Sequence, residues 1–367
     1  MIRFFNAESG AFLGCEWSPD LDEMPGVSVV DALYGTAITR LGDVILDVGG
    51  PDDGEEIAVG APGATAGAIG AGKVYIYTVR TDPCALLLRA ILVAPSMSLD
   101  RTGAAFGAAV SGPGDLDTGA VAHPPAEILV GAPGQSLPGM QEVGEAYIFD
   151  ANLAGTAVNL SPRFVLFSRD PLATSQDRFG HAISGAGTMT GAGPDIVAVG
   201  VPGGITAGGL RLGRVELFDA GGTLITIVPN PTTTAGTADE AFGWSLAEVD
   251  RMMPDQDGFI VGNPTFFNGT NTPGEAYFFH DPTVFTRIPF SDQLPPPLSG
   301  EIGDVEFGFA LAHSSNERSN DVGRTLISAI TRDVQDAFGY RAANPRTHVN
   351  FGRAYLFRYV QQPLGIP

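Results

Sequence analysis

The chain has 367 residues with 41 acidic and 20 basic side chains, a formal net charge of −21 at pH 7 and an isoelectric point near 4.4. That balance excludes nucleic acid as a partner, since such binding depends on neutralising phosphates with Lys and Arg, and it disfavours anionic membrane surfaces; it fits solubility, cation binding or a salty or extracellular setting. With 44% hydrophobic residues there is ample material for a core, and 49 Gly with 28 Pro point to many short strands joined by turns rather than to helices.

From the N-terminus, MIRFFNAESG has no long apolar core and no small-residue cleavage site, so no signal peptide is read there. No run approaches the roughly 18 apolar residues of a membrane helix. The most apolar stretch, Cys84 to Pro95, is broken by Arg89, so no membrane insertion is expected. Cys15 and Cys84 match no metal or redox spacing, and a disulfide between them stays open.

Beyond the N-terminal segment one pattern recurs five times, starting at Tyr34, Phe106, Phe179, Phe242 and Phe307. The copies read YGTAITRLGD…IAVGAPG…GKVYIYT, FGAAVSG…ILVGAPG…GEAYIFD, FGHAISG…IVAVGVPG…GRVELFD, FGWSLAE…FIVGNP…GEAYFFH and FGFALAH…LISAIT…GRAYLFRY. Each interval holds three clear short strands and a weaker fourth. In the first these are expected near Gly35 to Thr39, Glu56 to Gly60, Lys73 to Thr78 and Leu86 to Val93, and in the third the outer strand is expected near Thr223 to Val228. Nothing between them sustains a helical period.

Each residue of the pattern has a structural task. The aromatic before Gly is sized to fill the wedge between neighbouring sheets, and the Gly lets backbones approach where sheets converge. Gly60, Gly131, Gly200 and Gly262 allow tight packing, and Pro62, Pro133, Pro202 and Pro264 then end the strand, because Pro cannot donate to the ladder. A four-stranded unit cannot bury both faces alone, whereas radial stacking around a channel can. The expected fold is therefore all-β, a β-propeller of four-stranded antiparallel blades spanning 1–367 as one domain.

FG…VGAP…YIF repeated in order resembles the FG-GAP repeat, the unit of the integrin α-subunit N-terminal β-propeller, over residues 34 to 359. Five copies imply five blades, with six as the alternative. The fifth copy ends after its third strand, and IRFFNAESGAFLG is similar to the late part of a repeat. Residues 1–33 are accordingly read as closing the ring through an outer strand for the last blade. The other reading makes Met1 to Gly14 a two-stranded remnant of a sixth blade completed by another chain.

The resemblance also implies a calcium loop between first and second strands, of the D-x-D-x-D-G kind, where several carboxylate and carbonyl oxygens meet on one flexible loop. The first copy offers Asp43, Asp47, Asp53 and Glu56, with Asp52 and Glu55 beside them, and the second offers Asp115, Asp117 and Glu127. The third keeps only Asp195, the fourth has Asp250, Asp255 and Asp257 with Gly258 at the late position, and the fifth has Asn316 and Asp321 with Arg324 where an acid belongs. The competing reading is a set of solvated acidic turns whose Asp side chains cap their own backbones.

No catalytic residue is expected. His123, His181, His280, His313 and His348 sit in no H-E-x-x-H, and neither a nucleophile elbow nor a P-loop is present. His181 and His313 fall on or beside first strands, where packing is the ordinary role. The expected function is a non-catalytic binding or scaffold propeller making protein–protein or surface-adhesion contacts, extracellular or surface-associated, with a protein or a surface glycan as partner. The alternatives are a structural component of a larger assembly (a virion, appendage or surface layer) and, further off, a propeller glycoside hydrolase or lyase. Contact surfaces are expected on the longest loops, Ala61 to Gly72, Gly134 to Glu142, Thr265 to Pro273 and Arg332 to Gly352, the last bearing Phe338, Tyr340, Arg341 and Arg346.

Overall fold

A computed structural model describes residues 2–5, 12–17, 32–42, 55–81, 84–95, 100–114, 116, 127–151, 161–189, 195–231, 240–253, 256–265, 274–289, 306–314, 324–330 and 352–358. The regular elements there are β-strands, and no helix among the described residues is long and apolar enough to cross a membrane.

Sheet 1 holds β3 (Ile38–Gly42), β4 (Glu55–Ala61), β5 (Lys73–Thr81) and β6 (Cys84–Leu92). Sheet 2 holds β7 (Ala109–Gly114), β8 (Glu127–Ala132), β9 (Glu145–Asp150) and β10 (Phe164–Leu166). Sheet 3 holds β11 (Ile183–Gly185), β12 (Val197–Val201), β13 (Arg214–Phe218) and β14 (Leu224–Pro229). Sheet 4 holds β15 (Ser245–Met253), β16 (Gln256–Asn263), β17 (Glu275–Asp281) and β18 (Val284–Pro289). Sheet 5 shows three strands, β19 (Phe307–Ser314), β20 (Arg324–Ile330) and β21 (Gly352–Arg358). All are antiparallel meanders in chain order, and the innermost strands abut in turn, β3 on β7, β7 on β11, β11 on β15 and β15 on β19. This is the all-β propeller stack that the repeats imply.

The strands end where the sequence requires. β4, β8, β12 and β16 stop one residue short of Pro62, Pro133, Pro202 and Pro264. Second strands such as EILVGA and VAVGV are buried on both faces, because each lies between two neighbouring sheets, whereas the outer strand LITIVP is mostly part-exposed. The first strand begins later than expected, at Ile38 rather than Gly35, because Gly35 turns the chain at φ +88° before the ladder opens.

The core is not a single mass but one cluster per junction. Ala58, Val74 and Ile76 of sheet 1 pack with Phe106, Ile128, Val130, Tyr147 and Phe149 of the second unit. Leu129, Ala146 and Ile148 pack likewise with Phe179, Val197, Val199 and Phe218 of the third, and the pattern repeats at the next two junctions. Phe106, Phe179, Phe242 and Phe307 are each fully buried, as the wedge role requires. Phe106 meets Tyr147 edge-on at 5.2 Å and Phe242 meets Tyr277 at 5.6 Å.

β1 (Ile2–Phe5) and β2 (Phe12–Trp17) pair with each other as a two-stranded sheet, and β2 lies against β6 at the outer rim of sheet 1. β21 pairs with β20, and no fourth strand joins sheet 5 among the described residues. β2 carries Cys15 and β6 opens with Cys84, whose side chains lie outside the described residues.

Candidate interaction face

Four junctions between sheets are built identically. A Cβ placed on Gly60, Gly131, Gly200 or Gly262 would lie 2.0–2.1 Å from the carbonyl oxygen of Gly107, Gly180, Gly243 or Gly308 in the next unit. Real Cβ atoms do not come so near backbone, so only glycine permits the approach. Alongside, Gly72, Gly144, Gly213 and Gly274 form parallel bridges to Phe106, Phe179, Phe242 and Phe307. The Phe106 and Phe179 N–H groups donate across the junction to Ala71 and Val143 carbonyls at 2.9 and 2.8 Å. The expected roles of the aromatic and the glycines are thus met at every one of these junctions.

The same surface on sheet 1 is open. Gly35 is exposed, and a Cβ built on it would meet nothing within 4 Å, although its φ of +88° matches the +87° of Gly107. Ile38 is 51% exposed, whereas Ile183 at the equivalent register position is 5% exposed. Leu33 beside it is 56% exposed. At the other end of the stack, Leu326 of β20 is 40% exposed, while Ala58, Leu129, Ala198 and Ile260 at the same register position are fully buried. Among the described residues, the row therefore begins and ends on apolar faces whose counterparts at the other junctions are buried or half-buried.

No protein family and no curated protein matches the chain. Among solved structures it is similar to Saccharomyces cerevisiae Sqt1, at 11% identity and a TM-score of 0.41, over 82% of this chain. The chain spans 58% of the length of that structure.

Of the seven ligands expected in the first two copies, Glu56 and Glu127 lie among the described residues. Glu56 is buried in β4 and accepts a hydrogen bond from the Thr78 hydroxyl at 2.7 Å; that hydroxyl accepts in turn from Arg89 Nε at 2.7 Å. Glu127 is buried at the start of β8, accepts from the Leu116 N–H at 2.8 Å and faces the Arg163 guanidinium at 3.3 Å. Both carboxylates hold their sheets together. Asp43, Asp47, Asp53, Asp115 and Asp117 lie outside the described residues. In the fourth copy Asp250 lies in β15 and Asp257 in β16, while Asp255 lies outside the described residues. Among the described residues no three His, Cys, Asp or Glu side chains gather as a metal would need.

His181 packs against Trp244. Its Nδ1 lies 3.0 Å from the Trp244 carbonyl, its ring lies 4.3 Å from that indole, and burial pushes it below the ordinary imidazole range. His123 and His348 lie outside the described residues, as does the His313 side chain. The loop from Ala61 to Gly72 turns inward for part of its length. Its Ile69 and Gly70 carbonyls accept from Gly103 and Ala105 N–H groups at 2.9 and 3.0 Å, leaving the Ile69 side chain exposed. Gly134 to Glu142 does the same, accepting from Gln176 and Arg178 N–H groups at 2.7 and 3.0 Å. Residues 266–273 and 332–351 lie outside the described residues.

A second set of residues, not singled out from sequence, fastens three of the links between sheets. Arg101 Nη1 donates to Gln135, Glu145 and the Tyr147 hydroxyl oxygen at 2.8, 2.7 and 2.8 Å. Arg214 meets Asp177 at 2.9 Å, Glu216 at 3.0 Å and Asp170 at 3.1 Å, all in a buried cluster. Glu240 accepts from Asn263 Nδ2 at 2.9 Å and from Asn230 Nδ2. The signal was a charged residue after the third-strand glycine in every copy: Lys73, Glu145, Arg214, Glu275 and Arg353.

Burial pushes the Glu240 carboxyl above its ordinary range of about 4.5; the Asn263 and Asn230 donors oppose this, and nearby Glu275 adds to it. A carboxyl with a raised folded pKa stabilises most below its unfolded value and loses that contribution as pH rises through the folded one. Glu240→Gln is therefore expected to gain stability relative to the wild type between about pH 4.5 and pH 7. Urea midpoints across that range check it, and parallel profiles for the two proteins would refute it.

Proposed function

We propose that the chain is a non-catalytic binding propeller of the FG-GAP kind, extracellular or surface-associated, whose contact is made through the open face of sheet 1. The observation that carries this is the exposure of Gly35 and Ile38, whose counterparts at the other junctions are buried or half-buried, with Leu33 exposed next to them. Exposed contiguous apolar surface on a soluble chain marks an interaction site. The described charged clusters are engaged in joining sheets, which supports a scaffold over an enzyme. Leu326 at the far end favours a second reading, a structural component of a larger assembly, because both ends of the row are then contact surfaces. The calcium part of the family resemblance rests on Asp43, Asp47, Asp53, Glu56, Asp115, Asp117 and Glu127.

Size-exclusion chromatography with light scattering, on the chain mixed with its native surface or assembly fraction, tests the reading. The wild type is expected to enter a complex that Ile38→Glu does not, and neither is expected to turn over polysaccharides or esters. A lone monomer in both cases, or turnover, overturns it.

A further inference from the structure

The face of sheet 1 is open only in its inner half. Val59, Tyr75 and Tyr77, on the same face but further out, are fully buried, and Leu86 is 8% exposed. The β1–β2 pair stands at that outer rim, with β2 against β6. Its IRFF strand followed by a second strand has the order of a third and fourth strand, as in AYIFD of β9 followed by β10. The pair thus has the place of the outer two strands of a preceding sheet, and among the described residues no inner strand stands beside Gly35 and Ile38.

The four complete junctions state what the missing strands must carry. In each, the second strand brings a glycine against the carbonyl of the glycine that follows the aromatic, with a small or apolar residue two positions before it (Ala58, Leu129, Ala198 or Ile260). Sheet 5 does not meet that requirement. In its register Ser328 stands opposite Ala354, as Gly262 stands opposite Ala276 and Gly131 opposite Ala146. A serine Cβ at that place would fall where the neighbouring carbonyl lies about 2.0 Å away in the other junctions. Neither this chain's own last sheet nor that of a second copy therefore reproduces the junction. The edge of β1 away from β2 is the edge on which an inner strand would add, the geometry of strand augmentation.

We propose that the inner half of this position receives a two-stranded antiparallel segment of another polypeptide, with a glycine in its second strand set against Gly35. The proposal rests on the binding reading above and names the chemistry of its partner.

A labelled peptide of residues 177–202, the β11–β12 segment with Gly200, serves as probe, and anisotropy against the full-length chain is the measurement. Saturable binding is expected. Ile38→Glu in the chain, or Gly200→Val in the peptide, is expected to weaken it about tenfold or more, while Ile225→Glu, at an exposed apolar residue of β14, leaves it unchanged. Absent binding, or binding indifferent to both Ile38 and Gly200, overturns the proposal. So does a wild-type dimer that Ile38→Glu dissolves, which would seat a second copy there. An Ile38→Glu chain that melts far below the wild type without any peptide would mean the chain already covers the face itself, and that outcome overturns the proposal as well. Should the peptide fail while the Ile38-dependent native complex persists, the two-stranded partner is wrong and the binding reading survives.

Discussion

Gly107→Ala is expected to lower the unfolding free energy by about 3 kcal/mol more than Gly35→Ala does. The two glycines share the left-handed conformation, at φ +87° and +88°, so the conformational cost of a side chain is common to both and cancels in the comparison. What differs is the neighbour. A Cβ on Gly107 would lie 2.6 Å from the Lys73 carbonyl oxygen and 3.3 Å from the Gly60 Cα, both backbone atoms of sheet 1, whereas on Gly35 it meets nothing within 4 Å. A flexible side chain could swing aside; two sheets held by Gly72–Phe106 bridging cannot separate without losing the Phe106 wedge. Equilibrium urea unfolding of both variants gives the difference directly, and equal losses would mean that the junction tolerates a wider spacing than its backbone contacts imply. With the partner strand bound beside Gly35, the two costs should converge.

The residues that made the fold legible are those whose sequence signal is also their physical task. Pro62, Pro133, Pro202 and Pro264 end strands because they lack an N–H, and that holds wherever they fall in a ladder. Phe106, Phe179, Phe242 and Phe307 each precede a glycine that turns the chain, so their place in the wedge follows from local pattern. The site was less readable. Asp250 and Asp257 looked like loop ligands because acidic residues near Pro and Gly suggest a turn, yet β15 and β16 extend through them. Glu127 forms an ion pair with Arg163, 36 positions on, a partner that no local window contains. The open face was harder still. Tyr34-Gly35 differs from its four Phe-Gly counterparts by a single hydroxyl and chiefly by what stands in front of it, and only stacked sheets reveal which copy is left facing water.

The same dependence on distant partners governs the largest stability effect expected, that of Arg214→Met, about 3–5 kcal/mol. Methionine keeps much of the volume and removes the charge, so the loss reports on electrostatics more than on packing. Arg214 and Glu216 belong to β13, whereas Ser168, Asp170 and Asp177 belong to the link that leads from sheet 2 into sheet 3. Asp177 and Glu216 have no exposed surface, so without the guanidinium two carboxylates stay buried with their cation gone. Burial already pushes the Asp177 carboxyl above its ordinary range, against the pull of Arg214. Taking Arg214 away raises it further, and a raised folded pKa gives stability that is present at low pH and lost as pH rises through it. The deficit of Arg214→Met against the wild type should therefore shrink as pH falls from about 7 towards 5. Unfolding midpoints at several pH values, followed by hydrogen exchange in 167–178, separate this from a packing defect. A pH-independent loss spread over the whole protein would place the damage in the core of sheet 3 rather than in the link that the cluster fastens.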